Sequence, residues 1–551
     1  MNAEEYFEQG EEKYNSEDFK GAIKDFTKAI QKDPSDKEYY LYRSSAREEL
    51  EDYNGAIEDY TRLIEMKSDW EYFYFRGNCK KEMGDYEGAV EDYTESIGMN
   101  PLDENAYYWR AFAKKCKEDF AGALEDCTKL MELAPWLAYL ARGFVKEEMA
   151  DFKGAIVDYK EATELDPTDI KLYLRIANCK EFLDDFKGAI NEYNKVLELN
   201  SREAYYYYIR GWAKYMSNDQ QGAIADFDLG IMLDPEEDYN YDGKSKAKEK
   251  LRDFDGALLD LNKCIELKPV NSGFYLSRAN IKKKIEDFKG AIDDYNKAIK
   301  VVPTDPKGYY EMAELKFEID DFAGVIKDCD KAIELDPNEV KYYLLRIEAK
   351  DTLRDYSGLV DDYSNLIKLD PQNAEYFWWR AEAKKKLKDY VGAIEDYEEA
   401  LNIDETDADS YYGRADAKMA IKDYTGAISD YTKAIEINYF DDEFFWGRAE
   451  AKKEIKDYLG VIEDYTRALY LKPNDEDFLW GRAEAKKAIK DFKGALKDYN
   501  ILIKLDPTQA EYFYMSAFVK EAIEDSEGAI QDFNKALSIS PIVNQLILYP
   551  I

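Results

Sequence analysis

Apolar residues recur along this chain with the spacing of one face of an α-helix. In the segment after Asp389, the apolar positions are Ala393, Ile394, Tyr397, Ala400 and Leu401. Residues spaced in this way lie on one side of a helix. Asp389 stands just before the stripe, where its carboxylate can accept hydrogen bonds from the free amides of the first turn. We therefore predict a helix that begins after Asp389.

A second helical stripe follows after a short polar interruption. Residues 402–409 are polar and typical of a turn, and the stretch from Ser410 to Ile421 again has helical spacing. Proline stands between such pairs, for example at Pro371 and Pro473, where it ends one helix without breaking the next. The pattern predicts a unit of helix, turn, helix and turn.

This unit is repeated along almost the whole chain. The aspartate that opens its capped helix occurs sixteen times, in steps of 34 residues except for one step of 33 and one of 32. Its positions are Asp18, Asp52, Asp85, Asp119, Asp151, Asp185, Asp219, Asp253, Asp287, Asp321, Asp355, Asp389, Asp423, Asp457, Asp491 and Asp525. A fixed period of this size predicts one small unit stacked many times, with each copy stabilised by its neighbours.

The residues of the unit resemble those of tetratricopeptide repeats. That family has an aromatic and a small residue in the first helix, a small residue, an aromatic and Ala in the second helix, and Pro near the end. The corresponding residues here are Tyr411, Ala415, Ala427, Tyr431, Ala434 and, one repeat later, Pro473. Two departures accompany the resemblance. Arg replaces the usual Leu before the small residue in eleven repeats, and Ser68, Ser201, Glu405 and Tyr439 replace the terminal Pro.

The resemblance implies an all-α fold, a right-handed superhelical solenoid of antiparallel helix pairs. We expect residues 1–541 to form sixteen tandem repeats in one solenoid. Residues 542–551 are an apolar C-terminal tail, which is either a cap on the last helix pair or part of a truncated repeat.

A glycine stands three residues after each of the repeated aspartates, from Gly21 to Gly528. In a helix interior, glycine costs about 1 kcal/mol relative to alanine, so its recurrence predicts a packing reason. We expect a close approach by the backbone of a neighbouring helix. A phosphate-binding loop is the alternative, but the Gly-x-Gly-x-x-Gly and Gly-Lys-Ser/Thr contexts of such loops are missing.

The charge balance narrows the choice of partners. The net charge is −40, which argues against nucleic acid and against anionic membrane surfaces, because both are bound through Lys and Arg. The sequence has no run of 18 apolar residues that would predict a spanning helix. The acidic start of the chain does not resemble a signal peptide, and we expect a cytoplasmic location.

Candidate chemistry is sparse. The chain has no histidine, which removes His-based acid–base catalysis, Ser-His and Cys-His nucleophile pairs and histidine metal ligands. None of the six cysteines forms Cys-x-x-Cys, and five occupy slots that other repeats fill with core residues. We therefore expect no catalytic residues, no metal and no cofactor.

A charged pattern recurs with the repeat. Five residues before each repeated Asp stands Lys, or Arg47 in one repeat, and seven residues after it stands an acid. The Arg-rich slot lies four residues before the Lys and so on the same helical face. We expect Arg and Lys to bracket the acid in a buried or half-buried ion-pair ladder, for example around Asp430. Binding of a ligand by these charges is the alternative.

The variable positions of the first helices predict where a partner binds, because first helices line the concave surface in the family that the chain resembles. One slot is mostly large and apolar, and the slot four residues later is acidic in repeats ten to fifteen. The predicted peptide-binding residues are Trp378, Glu382, Tyr412, Asp416, Trp446, Glu450, Trp480, Glu484, Tyr74 and Asn78. Aromatic residues beside carboxylates suit an extended peptide that carries Lys or Arg. The alternative is that the aromatics pack between first helices, while Lys453 and Lys487 neutralise nearby acids.

We therefore predict a scaffold or adaptor that binds protein or peptide, including basic segments, along its concave face. The alternative function is a regulatory or targeting subunit of an enzyme or secretion complex whose active part is on another chain. Asn78 matches the asparagine with which some family members hold a C-terminal carboxylate. The next repeat has Phe112 in that slot, so we do not predict binding of such a terminus.

Overall fold

The computed structural model describes residues 1–540, and those residues contain thirty-two α-helices and no β-strand. The chain divides into two compact units, Met1–Glu286 and Asp287–Ile551. In each unit, every helix packs against the helix before it and the helix after it. The predicted all-α fold of packed helix pairs is confirmed within each unit. The prediction for residues 542–551 concerns a segment outside the described residues.

The helices of the first unit are α1 (Ala3–Asn15), α2 (Phe19–Lys32), α3 (Lys37–Glu48), α4 (Tyr53–Met66), α5 (Trp70–Glu82), α6 (Tyr86–Met99), α7 (Glu104–Cys116), α8 (Phe120–Leu133), α9 (Pro135–Glu148), α10 (Phe152–Leu165), α11 (Ile170–Phe182), α12 (Phe186–Leu199), α13 (Ala204–Met216), α14 (Gln220–Leu233), α15 (Asp238–Lys250), α16 (Phe254–Leu267) and α17 (Ser272–Lys284).

The helices of the second unit are α18 (Phe288–Val301), α19 (Pro306–Glu318), α20 (Phe322–Leu335), α21 (Val340–Thr352), α22 (Tyr356–Leu369), α23 (Ala374–Lys386), α24 (Tyr390–Ile403), α25 (Ala408–Ala420), α26 (Tyr424–Ile437), α27 (Asp442–Glu454), α28 (Tyr458–Leu471), α29 (Glu476–Ala488), α30 (Phe492–Leu505), α31 (Ala510–Ala522) and α32 (Ser526–Ile539). Odd-numbered helices are the first helices of the repeats, and even-numbered helices are the second.

The repeated aspartates begin the second helices, as the sequence predicts. All sixteen accept a hydrogen bond from the amide of the glycine three residues later. The predicted polar turn 402–409 is shorter than expected, because α24 extends to Ile403 and α25 begins at Ala408. Asp407 caps α25 by accepting from the amides of Asp409 and Ser410, so the apolar stripe marks the core of a helix but not its first turn.

The reason for the repeated glycine differs from the expected one. Gly426 is the third residue of α26, and a Cβ there would lie 2.1 Å from Oδ2 of Asp423, the residue that caps the same helix. At Gly460 the added atom would also meet the side chain of Lys452. The neighbours are the cap and the lysine of the same repeat, and the expectation of a neighbouring helix backbone is wrong. The cap carboxylate folds over the first turn, into the space that a Cβ of this residue would occupy.

The core lies between the helices of each pair and between successive pairs. Second helices bury a large aromatic residue, such as Tyr397, Tyr431 or Tyr465, against a small residue of the following first helix. At Gly413, Gly447 and Gly481 an added Cβ would clash with these rings. Five cysteines are also buried, as predicted: Cys79, Cys127, Cys179, Cys264 and Cys329.

The ion-pair ladder runs through the core within repeats. Arg414 and Lys418 of α25 both bind Asp430 of α26, at 2.8 and 2.7 Å, and the Asp430 side chain is 5 % exposed. The same arrangement recurs in most repeats, and several of the arginines also reach the preceding repeat, as where Nη1 of Arg448 donates to Oγ1 of Thr432 at 3.1 Å. The predicted ladder is confirmed, and the arginine in addition links second helices of neighbouring repeats.

Candidate functional site

Four of the predicted site residues line one groove in the second unit. Tyr412 of α25, Trp446 and Glu450 of α27, and Trp480 of α29 surround a volume of about 660 Å³. The charged residues on the same wall are Asp442, Glu443, Lys453, Lys472, Asp475 and Asp477. The 34-residue period brings these side chains together, because it repeats the same first-helix position on successive, adjacent helices.

The three predicted aromatic residues of this groove differ in exposure. Trp480 is half-buried, with its ring 5.7 Å from that of Tyr499 and 5.7 Å from that of Tyr512. Tyr412 is likewise packed against Tyr431 and Phe444. Trp446 is 41 % exposed. Packing between helices therefore accounts for Tyr412 and Trp480, whereas Trp446 presents its ring to the groove.

The acidic row, which consists of the acids four residues after the aromatic slot in the first helices of repeats ten to fifteen, accepts hydrogen bonds from buried tyrosines of the second helices. The Tyr465 hydroxyl donates to Glu450 at 2.6 Å, and the Tyr431 hydroxyl donates to Asp416 at 2.6 Å. Tyr397 and Tyr499 donate in the same way to Glu382 and Glu484. Sequence reasoning missed these bonds, although each acid stands fifteen residues before its tyrosine in the sequence.

Lysines neutralise part of this row. This is what the alternative predicts, in which the aromatic residues pack between first helices. Lys453 lies 3.2 Å from Glu450, and Lys487 lies 2.7 Å from Glu484. Lys385 reaches Glu382 at 3.0 Å and Asp416 at 3.7 Å. Burial raises the pKa of the Asp416 carboxyl above its ordinary value, while the Tyr431 hydrogen bond and Lys385 act against that shift.

Two carboxylates beside Trp446 remain without a cation. Lys472 binds Asp442 at 2.7 Å, and Asp475 caps α29 by accepting from the amide of Phe478. Glu443 and Asp477 are exposed, and no Lys or Arg among residues 1–540 forms an ion pair with either. An exposed indole that shares a groove with two unpaired carboxylates is an arrangement that attracts a cation.

The other predicted residues lie elsewhere. Trp378 and Glu382 line a second, mainly apolar pocket of about 460 Å³ between α21 and α23. Tyr74 and Asn78 belong to α5 in the first unit, where Asn78 accepts a hydrogen bond of 2.8 Å from the buried Tyr93 hydroxyl and Tyr74 packs on the Tyr93 ring. Asn78 is thus engaged in the core of its own repeat.

The first unit also has a groove, with balanced charges. It encloses about 510 Å³ between α5 and α11. The Lys81 ammonium lies 3.6 Å above the Trp109 ring, and Arg175 lies over Phe144. Each cation of this groove is paired with a glutamate: Lys81 with Glu82, Lys115 with Glu148 and Arg175 with Glu147. These aromatic faces are already covered by the chain's own cations, unlike that of Trp446.

Residues 1–540 contain no group of three or more metal-ligating side chains and no helix that is long and apolar enough to cross a membrane. Burial raises the pKa of the Cys127 thiol to about 12, which keeps it protonated near neutral pH. Such a thiol is a packing residue and a poor nucleophile.

Sequence profiles of the tetratricopeptide repeat match much of the chain. One profile matches residues 7–70. A second matches residues 71–101, 138–169, 170–203, 374–407, 408–441 and 510–542. No curated protein sequence matches the chain significantly.

Solved structures of tetratricopeptide repeat proteins are similar to parts of the chain. The C-terminal part of a repeat-containing protein from Cytophaga hutchinsonii is 19 % identical, with 43 % of this chain and 98 % of that chain covered and a TM-score of 0.37. A tetratricopeptide repeat protein from Parabacteroides merdae is 18 % identical, with 44 % and 98 % covered and a TM-score of 0.35. The structure of Cut9–Hcn1 is 13 % identical, with 88 % and 96 % covered and a TM-score of 0.35. Nearly half of the chain thus matches the tetratricopeptide repeat, and arrays of this repeat serve in general as protein-interaction scaffolds.

Proposed function

We propose that this chain is a scaffold that binds a protein or peptide segment carrying Lys or Arg in the groove between α25 and α29. The observation that carries the proposal is Trp446, an exposed indole that lines the same groove as the unpaired carboxylates Glu443 and Asp477. The face of an indole ring attracts a cation, and carboxylates at its edge complete the site.

The charge of the groove favours a cationic segment over other ligands. Its wall carries Asp442, Glu443, Glu450, Asp475 and Asp477 against only Lys453 and Lys472. This local excess has the same sign as the net charge of −40, which raises the local concentration of cationic peptide and repels phosphate groups. We therefore propose no nucleic acid and no membrane surface as partner. The cytoplasmic location stays a prediction.

The energy of such a site would come from a few groups. Trp446 is the most exposed aromatic side chain among the residues that line the groove. Aromatic residues of this kind dominate interfaces, and their truncation costs about 2 kcal/mol or more. Glu443 and Asp477 lie at the rim, so we expect them to govern the rate of association more than the rate of dissociation.

The test is the affinity of the full chain for a fluorescein-labelled peptide with alternating Lys and Gly, measured by anisotropy at low salt. A peptide with norleucine in place of each Lys serves as the ligand control. We expect the Lys peptide to bind, and Trp446→Ala to weaken its binding by about thirtyfold. Tyr470→Ala is the matched control, because Tyr470 is an exposed aromatic of α28 that does not line the groove.

The charge of the groove is tested separately. The double variant Glu443→Gln and Asp477→Asn removes the two unpaired charges with little change of volume, and Glu463→Gln removes an exposed charge on α28 that is not part of the groove wall. Equal binding of Lys and norleucine peptides, or equal losses in the groove variants and in the controls, would exclude this groove as the binding site.

A further inference from the structure

Repeat eleven departs from all other repeats at the contact between its two helices. The first helix has a small residue at this contact in fifteen repeats, and Ile347 stands there in repeat eleven. The small residues are Gly10, Ser44, Gly77, Ala111, Gly143, Ala177, Gly211, Ser245, Ala279, Ala313, Ala381, Ala415, Ala449, Ala483 and Ala517. On the second helix, thirteen repeats have Ala and two have Val, whereas repeat eleven has Leu359.

The two large residues change the packing of this pair. Ile347 and Leu359 are buried in the same apolar cluster, and α21 packs less closely on α22 than the two helices of the other repeats that lie within one unit. Tyr363 is 8 % exposed, whereas its counterparts Tyr397 and Tyr431 are 0 and 2 % exposed. Side-chain volume at the contact thus holds the pair apart, since close-packed interiors transmit added volume as helix displacement.

The opened pair forms the pocket of about 460 Å³. Its apolar wall consists of Leu344, Ile347, Leu359, Trp378 and Trp379, and Trp379 is 50 % exposed. The indole N–H of Trp378 is buried and has no acceptor among the described residues. A buried donor without a partner is costly, and a ligand that supplies an acceptor removes this cost.

The rim of the pocket has the same charge as the groove at Trp446. Glu348 and Asp351 are exposed, and neither forms an ion pair with another residue of the described chain. Glu382 accepts a hydrogen bond from Tyr397 and forms an ion pair with Lys385. The exposed Lys386 is the one cation on this wall. The pocket therefore suits an apolar side chain from a segment that is itself basic.

We propose that repeat eleven is an anchor site for a bulky apolar side chain, such as Leu, of the same basic segment that binds at Trp446. The proposal rests on the proposed function and adds a second, sequence-specific contact to it. A carbonyl of the bound segment accepts the Trp378 N–H, and the apolar side chain fills the space between Ile347, Leu359 and Trp379.

The repeat geometry sets the spacing of the two contacts. First helices of neighbouring repeats touch from α23 to α25 and from α25 to α27, and helices in contact lie about 10 Å apart. Two to three repeats separate the apolar pocket from Trp446. This separation of about 20 to 30 Å corresponds to about six to nine residues of extended peptide at about 3.3 Å per residue. The partner segment would carry its Leu and its Lys or Arg at that separation.

The experiment uses synthetic Gly-Ser peptides with one Leu and two adjacent Arg residues, in both orders, separated by about three, seven or fourteen residues. Peptides with Ser in place of Leu retain the cationic part alone. We expect the seven-residue spacing to bind the full chain about tenfold more tightly than its Ser counterpart. We expect the double variant Ile347→Ala and Leu359→Ala to abolish this Leu-dependent gain and to leave binding of the Ser peptide unchanged.

The double variant restores the alanines that repeats twelve and thirteen have at the same positions, Ala381, Ala393, Ala415 and Ala427. It is therefore expected to keep its helicity, and Val325→Ala is the matched control for loss of volume in the neighbouring repeat. Trp378→Phe keeps an aromatic wall and removes the N–H, so it tests the hydrogen bond without closing the pocket.

The outcomes separate the two proposals. Binding of the Ser peptides with no gain from Leu at any spacing overturns the anchor site and leaves the groove at Trp446 in place. A Leu-dependent gain that persists in the Ile347→Ala and Leu359→Ala variant also overturns the anchor site. Absence of binding by every Arg peptide overturns both.

Discussion

The Arg414 guanidinium binds the Asp430 carboxylate at two points, with Nε 2.9 Å from Oδ2 and Nη2 2.8 Å from Oδ1. Such bidentate pairs fix the orientation of both side chains. Arg414 also lies over the Tyr411 ring, with its Cζ 5.4 Å from the ring centroid. The ring therefore contacts one face of the guanidinium group, and the carboxylate binds its edge. The pair joins α25 to α26 at a site where a Leu would give only apolar contact.

Asp430→Asn is expected to lower the free energy of unfolding, because it leaves Arg414 and Lys418 charged, largely buried and without their shared carboxylate. The loss should be about 2 kcal/mol, less than the roughly 3–5 kcal/mol of a fully buried pair, since both cations keep some contact with water. Chemical denaturation and hydrogen exchange of the α25 and α26 amides measure this loss.

Glu436→Gln on the same helix provides the control for Asp430→Asn. Glu436 pairs with Lys433 at 2.7 Å, but both side chains are more than half exposed. Exposed pairs contribute from 0 to about 1 kcal/mol, so this variant should unfold almost as wild type does. Equal stability of the two variants would contradict a structural role for the ladder.

The glycine at the start of each second helix gives a second prediction. Gly426→Ala should destabilise the chain by about 1 kcal/mol or more, because the new Cβ meets the Asp423 carboxylate and displaces the cap. Gly98→Ala is the matched change, since Gly98 lies in α6 and an added Cβ there has no atom within 4 Å. Helix propensity should then raise stability by up to about 1 kcal/mol. Thermal unfolding of both variants measures these changes in stability. Higher stability in both variants would show that the cap does not need the glycine.

The regular part of this fold could be predicted from the sequence, because it depends on local chemistry that recurs. Asp389 before an apolar stripe determines where α24 begins, and the spacing of Arg414, Lys418 and Asp430 places three charges on facing sides of two short helices. The predicted polar turn 402–409 is too long, since Asn402 and Ile403 belong to α24 and Ala408 and Asp409 lie in the first turn of α25, where polar residues are as common as in a turn.

The candidate site could be predicted only in part, because it depends on how helices cross. The sequence indicates that Trp446 and Trp480 share a face, but not that Tyr499 covers one of them. The hydroxyl bond from Tyr465 to Glu450 joins residues on two helices, so no periodicity within one helix reveals it. Ile347 was detectable as the one large residue in a small slot, but its effect on α22 requires the packed structure.

Asp416 gives a prediction for pH. Burial raises its pKa in the folded chain above the ordinary value, so the stability that the protonated carboxyl contributes is present at low pH and is lost as pH rises through the folded-state pKa. Asn resembles the neutral carboxyl in shape and charge. The unfolding midpoint of Asp416→Asn, taken relative to that of wild type, should therefore be higher at about pH 7 than at about pH 4.

Asp404 predicts the opposite dependence of stability on pH. The side-chain and backbone hydrogen bonds from Thr406 lower its pKa, so its contribution is present at neutral pH and is lost as pH falls through the folded-state pKa. The unfolding midpoint of Asp404→Asn, taken relative to that of wild type, should thus be lower at about pH 7 than at about pH 4. The same trend in both variants would mean that Asp416 is not destabilised by burial.

Salt separates the roles of the charged and the aromatic residues in the groove at Trp446. Glu443 and Asp477 are exposed rim charges, and their attraction for a cationic peptide acts before contact and is screened over about 10 Å at 0.1 M salt. The association rate of the Lys peptide should fall as salt rises, and Glu443→Gln with Asp477→Asn should lower that rate and weaken its salt dependence. Trp446→Ala should instead raise the dissociation rate and leave the salt dependence of association as in wild type, since the indole acts only on contact. Stopped-flow anisotropy gives both rates, and a salt dependence that survives loss of both rim charges would assign the attraction to the rest of the acidic surface.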